Sequence, residues 1–346
     1  MDLQALYEQV KESIDRVDLQ KIWPGFSPLK FALYDQENCF FDGRYIEKTD
    51  AFCANTSICF RGEQIAIWMV SGEPDVIVLA SKLVHEMFHG FQTLRGWDSW
   101  PDEMDALFNY RYDPENLSLK LRENELLCAL LCRFDADSFR ELLGIRKYRS
   151  EAFPYEFSYE SKVEEIEGTA NYVEWQVLRQ LAPEKASALT DEMRGTLTKP
   201  ERLFPIRISS YQSGALMIHA LLSAGLYAFD PDERPAILPV LRKAAFPDDG
   251  RLAGQAHLRE ATEAAEAFRE RTAEIIRTAL AGNEVVLSGP VELAGVNVYN
   301  ARCYDGYLTS TYFLMYRENE ENKLLQGDFV IRMKDQKTID TVYRWK

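Results

Sequence analysis

The chain has 346 residues, 46% of them hydrophobic and 12% aromatic, which is enough for a large interior and, at this length, for more than one packed unit. Its 55 acidic and 40 basic residues leave a net charge of −15, an excess that opposes binding to a phosphate backbone, so nucleic acid is not an expected partner. No apolar run approaches the ~20 residues of a membrane span, and the six cysteines form no CxxC pair or dense framework; the expectation is a cytoplasmic protein with no membrane partner and no required disulfide.

The first element is an amphipathic helix, with Leu3, Leu6, Val10, Ile14 and Val17 on one stripe and none of the parts of a secretory signal. Residues 28 to 70 read as strands: "LKFALYD", "NTSICF" and "QIAIWMV". Ile65, Ile67 and Met69 alternate with Gln64, Ala66 and Trp68, the period of a strand with two distinct faces, and Arg61-Gly62-Glu63 reads as a hairpin turn. The spacing then predicts helices at 75–94, 117–132, 134–148, 158–181, 184–195, 209–226, 232–244 and 256–281, the last with a stop at Gly282. Among them, "RKYR" (146–149) reads as solvated helix surface, and Cys128 and Cys132 as small core residues. Residues 96–116, rich in aromatics and acids, read as a loop that walls a cleft or packs against the helical lobe. Beyond 283, "VELAGVNVYN", "YLTSTYFLMYR" and "DFVIRMKD" read as strands joined by polar turns such as "ENEENK". The expected fold is α+β: a small α/β unit over about 1–95, a mainly helical lobe over about 96–282, and a small β module at 283–346.

Chemistry concentrates in "LVHEMFHG". His85 and His89, two of only four histidines, sit four apart and so share a helix face, where both imidazoles can reach one ion. Glu86 stands beside the first, placed to take a proton from a metal-activated water; this is the HExxH arrangement, with zinc as the expected cofactor. A catalytic zinc takes about three protein ligands. The metzincin spacing needs glycine at 92 and histidine at 95, where this chain has Gln92 and Arg95, so the third ligand is sought elsewhere. "KVEEIEGTANYVEWQVL" (162–178) offers one. On a straight helix Val163, Ile166, Ala170, Val173 and Val177 form a stripe; Glu164 lies at its margin, Glu165 well outside in solvent, and Glu167 and Glu174 inside. A buried carboxylate needs a partner, which makes Glu167 the candidate third ligand; a buried ion pair or water bridge is the alternative. Asn171, one turn on, can hydrogen-bond a ligand histidine.

"HEMFH" followed by "EGTANYVE" resembles the gluzincin branch of the zincin metallopeptidases, the thermolysin-like group. The resemblance implies a zincin-type lobe that hydrolyses a peptide or protein substrate, with His85, His89 and Glu167 as zinc ligands and Glu86 as general base. Such enzymes often carry aspartate where Asn171 stands. They place an edge strand above the cleft, a role the resemblance assigns to "EQIAIWMV" (63–70), which would pair with an extended peptide. "SSYQSGALMIHALL" (209–222) resembles the helix that carries a tyrosine near the metal in zinc aminopeptidases, which makes Tyr211 the candidate for stabilising the oxyanion. The competing expectation is a non-catalytic protein in which a metal fixes two helices or a partner-binding surface, where Glu86 would have no use.

Overall fold

The computed structural model describes residues 2–97, 100–226 and 250–345, and the expected helix at 232–244 lies outside them. Helix α1 (Leu3–Asp15) begins where Asp2 accepts the backbone N–H groups of Gln4 and Ala5, and it buries Leu3, Leu6, Val10 and Ile14 on one face. After a short α2 (Leu19–Ile22), strands β1 (Phe31–Tyr34), β2 (Cys39–Phe41), β3 (Arg44–Ile46), β4 (Thr56–Phe60) and β5 (Glu63–Met69) form one sheet in the order β3-β2-β1-β5-β4. The expected hairpin joins β4 to β5 through Arg61 and Gly62, both at positive φ (52° and 82°), the two-residue geometry that matches strand twist. Strand β5 was expected at the edge and is not there: Ala66 pairs with Phe31 of β1 on one side and Ser57 of β4 on the other. Alternation locates a half-buried strand but carries no information about its neighbours, and the parallel pairing with β1 occupies the second side. Among the described residues the edge strands are β3 and, beside β5, β4.

Helix α3 (Val76–Leu94), capped by Asp75, packs on this sheet. Gly90 permits the approach: a Cβ there would meet Leu29 Cδ1 at 2.4 Å and Ser57 Oγ at 2.8 Å. The stretch expected to be a loop contains helix α4 (Glu103–Asn109), started by Asp102. A helical lobe follows, built from α5 (Pro114–Cys132), α6 (Ala136–Ala152), α7 (Pro154–Val163), α8 (Thr169–Leu181), α9 (Pro183–Leu197), α10 (Ile206–Ser223) and α11 (Leu258–Gly282). Cys128 is buried as expected, but Cys132, in the last turn of α5, is exposed. The left-handed residue that ends α11 is Asn283 (φ 51°) rather than Gly282.

The helix expected to run straight from 158 to 181 widens between α7 and α8 into a π turn, Glu164–Gly168. Its i→i+5 bonding changes the angular step, so a straight wheel misplaces these side chains. Glu165, expected in solvent, is 4% exposed, and Glu164, expected at the margin, is fully buried. Gly168 lies directly on Gly214 of α10: a Cβ on Gly168 would stand 2.5 Å from the Gly214 Cα.

Under the π turn lies a cluster of six buried charges from α5, α6, α7 and the turn itself. Lys120, Arg146 and Arg149 face Glu123, Glu160 and Glu164, each at most 2% exposed in its side chain. Arg149 reaches Glu123 at 2.8 Å and Glu160 at 2.6 Å, Arg146 reaches Glu164 at 2.5 Å, and Lys120 reaches Glu164 at 3.1 Å. This corrects the reading of "RKYR" as solvated surface. Arg146 and Arg149 go inward because three glutamates on other elements meet them there; Lys147, paired with Glu151 at 3.0 Å, is the solvated member.

Strands β6 (Val285–Val296), β7 (Arg302–Tyr304), β8 (Tyr307–Ser310), β9 (Phe313–Glu318), β10 (Glu321–Gln326), β11 (Phe329–Met333) and β12 (Thr338–Arg344) form a second sheet in the order β10-β9-β6-β12-β11-β8-β7. Its core holds Leu308, Leu314, Phe329, Ile331, Ile339 and Val342, with Met104, Leu107 and Phe108 of α4 packed against it. Ile276 and Ala279 of α11 meet Val330 and Tyr343. The run 307–317 divides around Tyr312 (φ 69°), and within "ENEENK" the turn is Asn319-Glu320, with β10 already begun at Glu321. Among the described residues no helix is long and apolar enough to cross a membrane.

Burial alone would raise the carboxyls of Glu160 and Glu164, but Arg149, Arg146 and Lys120 hold both below the usual glutamate range. A carboxyl depressed in the folded state stabilises it above its unfolded value of about 4.3 and loses that contribution as pH falls toward the folded value. Urea midpoints should therefore be nearly constant from neutral pH to about pH 5 and fall steeply below about pH 4. Arg149→Ala, which takes from Glu123 and Glu160 their shortest ion pairs and leaves the buried cluster with an excess negative charge, should cost about 3–5 kcal/mol by the same measurement, and a midpoint within error of wild type would refute this account.

Candidate metal centre

One helix and the π turn bring the donor atoms together. Residues 85 and 89 share the inner face of α3, and Glu167 comes from the turn that packs across it. The Nε2 atoms of His85 and His89 are 3.1 Å apart; Glu167 Oε2 lies 3.1 Å from His89 Nε2 and 3.7 Å from His85 Nε2. All three residues are buried. Atoms bound at about 2.0–2.2 Å in a tetrahedral shell sit about 3.4 Å from one another, so this spacing suits a zinc-sized ion. Among the described residues this is the group of histidine and carboxylate donors able to hold one.

The atoms behind the donors fix which nitrogen is free. Gln92 gives both amide protons away, to the Ile166 carbonyl at 2.8 Å and the Thr169 hydroxyl at 2.9 Å. Its Oε1 is therefore an acceptor, and at 2.8 Å it holds the proton on His89 Nδ1, leaving the Nε2 lone pair facing the group. Glu174 Oε2 stands 3.1 Å from His85 Nδ1, off hydrogen-bond geometry, and Oε1 2.7 Å from Lys82 Nζ; the carboxylate's charge beside Nδ1 favours a proton on that nitrogen. Two lone pairs and a carboxylate oxygen thus converge on one point, an arrangement that calls for a cation. The His85 imidazole registers that demand. Burial works against its charge, but Glu167 and Glu174 outweigh burial and push its pKa up to about 10. A divalent ion bound by these donors would displace that proton.

Asn171, the expected partner for a ligand histidine, lines the pocket; Gln92 holds His89 Nδ1, and Glu174 lies 3.1 Å from His85 Nδ1 without hydrogen-bond geometry. The sequence marked Glu174 only as an acid inside a stripe and Gln92 only as the residue excluding the metzincin spacing. Glu167 combines the two fates weighed for it: one oxygen faces the histidines and the other accepts Arg207 Nη2 at 2.8 Å. Arg207 also pairs with Glu103 and donates to the Tyr211 hydroxyl at 2.8 Å. It was not foreseen, since nothing in "FPIRISS" distinguishes it from a surface arginine. The Trp100 ring lies 5.6 Å from that of His89. His219 is half-buried beside Trp175, and His257 pairs with Glu125 at 3.1 Å.

On its open side the group borders a pocket of about 310 Å³ lined by residues that include Trp68, Lys82, Glu86, Tyr211 and Tyr299. Glu86 thus stands on the pocket wall, outside the three-donor group. Burial and the nearby Glu167 carboxylate push the Tyr211 hydroxyl well above the usual tyrosine range, so it keeps its proton. Comparison with protein-family models, with curated proteins and with solved structures finds no match.

If the group holds a divalent ion, Gln92→Ala and Glu174→Ala should each weaken its binding by about 10–100-fold, while Asn171→Ala leaves it near wild type, in competition titrations with a fluorescent chelator. The reverse ranking would return the supporting role to Asn171.

Proposed function

We propose that the protein is a zinc-dependent metallopeptidase in which His85, His89 and Glu167 hold the ion and Glu86 acts as general base. One observation carries this reading: three donor atoms converge at the edge of an open pocket, and a fourth side chain, the acidic Glu86, lines that pocket without joining them. Bound there, zinc supplies Lewis acidity toward a carbonyl and lowers the pKa of water. Glu86 receives a proton from the attacking water and returns it to the leaving amine. Tyr211, held by Arg207, presents a protonated hydroxyl to the oxygen on which negative charge gathers.

A peptide is the substrate best suited to the surroundings. Among the described residues strand β4 (Thr56–Phe60) pairs only with β5, which leaves its outer edge for an extended chain to add to, the role first assigned to β5. The open pocket also favours a catalytic metal over a purely structural one, which closes its fourth position with a protein ligand.

Protein purified without added metal should contain about one equivalent of zinc. Glu86→Gln should retain that metal and lose about 10²–10⁴-fold in hydrolysis of a denatured-casein or mixed-peptide substrate, whereas Glu167→Ala should lose the metal itself. Full metal with unchanged hydrolysis in Glu86→Gln would overturn the mechanism.

A further inference from the structure

We propose that Tyr299, carried by the C-terminal sheet, is a positioning residue that turns the Tyr211 hydroxyl toward the substrate. The inference rests on the metallopeptidase reading and makes the sheet part of the active site. Tyr299 sits in the turn between β6 and β7, and its hydroxyl lies 3.0 Å from that of Tyr211. The Arg207 guanidinium lies over both rings, 5.1 Å from the centroid of Tyr211 and 5.7 Å from that of Tyr299.

A hydroxyl has one proton to give and two lone pairs to offer. Arg207 Nη2 occupies one lone pair of the Tyr211 oxygen, because a guanidinium only donates. When Tyr299 donates to the other, both lone pairs are filled and the single Tyr211 proton is left to point into the pocket. Without the Tyr299 hydroxyl the same proton is free to rotate toward any acceptor, and the donor is no longer aimed.

The position of Tyr299 is built into the sheet. The Asn297 carbonyl accepts from Asn300 N at 3.1 Å and Ala301 N at 2.9 Å, and the Asn297 side chain accepts from Tyr299 N at 3.3 Å and donates to Thr311 at 3.3 Å. The sheet is seated on the helical lobe through α4, whose Met104, Leu107 and Phe108 join its core and whose Asn109 accepts from Gln336 at 3.2 Å. Glu103, on the same helix, holds Arg207. One short helix therefore seats the sheet and anchors the arginine, and it aligns the two tyrosines between them.

The test uses full-length zinc-loaded protein with Tyr299→Phe, Tyr211→Phe and the double variant. Inorganic phosphate serves as a tetrahedral-anion probe, with affinity read by calorimetry beside zinc affinity and thermal midpoint. Tyr299→Phe should weaken phosphate binding about tenfold, the net worth of one well-made hydrogen bond, with zinc affinity and midpoint unchanged. The double variant should bind phosphate like Tyr211→Phe alone, because Tyr299 acts through Tyr211. Hydrolysis should show the matching split, with kcat lowered and KM held. Wild-type phosphate affinity in zinc-loaded Tyr299→Phe, or a double variant whose loss is the product of the two single losses, would overturn the proposal while leaving the peptidase reading intact. Wild-type protein that takes up no zinc would instead overturn that reading, and this proposal with it, before any tyrosine variant is compared.

Discussion

Glu164 is a carboxylate with no access to water, held by Arg146 at 2.5 Å, Lys120 at 3.1 Å and the Ser213 hydroxyl at 2.7 Å. These contacts tie the start of the π turn to α5, α6 and α10 together. Four residues later Gly168 meets Gly214 with no side chain between the two backbones. Between those fixed points the chain carries Glu167 toward α3, while Gln92 takes hold of the Ile166 carbonyl from the other side. The contact with α10 also sets where Arg207 and Tyr211 stand, since both lie within two turns of Gly214 on that helix. Third donor, guanidinium and tyrosine thus inherit their places from one short segment.

A buried cluster of three cations and three anions is an expensive way to join four elements, because each charge must be stripped of water before its partner repays it. Apolar packing of the same volume often stabilises as well. What ion pairs with defined directions add is discrimination among registers: sliding α6 by one turn would strand Arg146 and Arg149 away from their glutamates. The segment so fixed is the one that sets a Glu167 oxygen 3.1 Å from His89 Nε2. Net charge outside this cluster tells nothing about it, since the cluster itself is balanced within a chain of charge −15.

Much of this was legible in the residues. Periodicity placed α3 within one residue of its observed start, and the inward phase of Glu167 marked it before any geometry was known. The failures share a cause. A helical wheel assumes a constant angular step, so it cannot represent a π turn and put Glu165 in solvent. Charge was read as exposure, but Arg146 and Arg149 are buried by partners 11 to 26 positions away in sequence and farther, a separation no local window weighs. Asn171 stands one turn from Glu167 and lines the pocket, while Gln92 holds His89 Nδ1; one-turn spacing does not tell which side chain turns toward a ring nitrogen. Strands β2 and β3, three residues each, are too short for alternation to register. Strand β5 was identified correctly and its neighbours were not, since pairing is a property of the sheet.

The distribution of the site along the chain has a consequence for biogenesis. His85, His89 and Glu167, with Gln92 behind them, lie in its first half, Glu174 falls just past the midpoint, and Arg207 and Tyr211 follow soon after. Tyr299 belongs to the last fifth, on a sheet whose seating helix, α4, was made long before. On a ribosome, where synthesis runs at about 5–20 residues per second, the donor group can assemble while the wall opposite it does not yet exist. The pocket acquires this wall only when the second sheet closes against α4, which makes synthesis of that sheet, rather than of the histidines and Glu167, the event that sets the pocket's boundary.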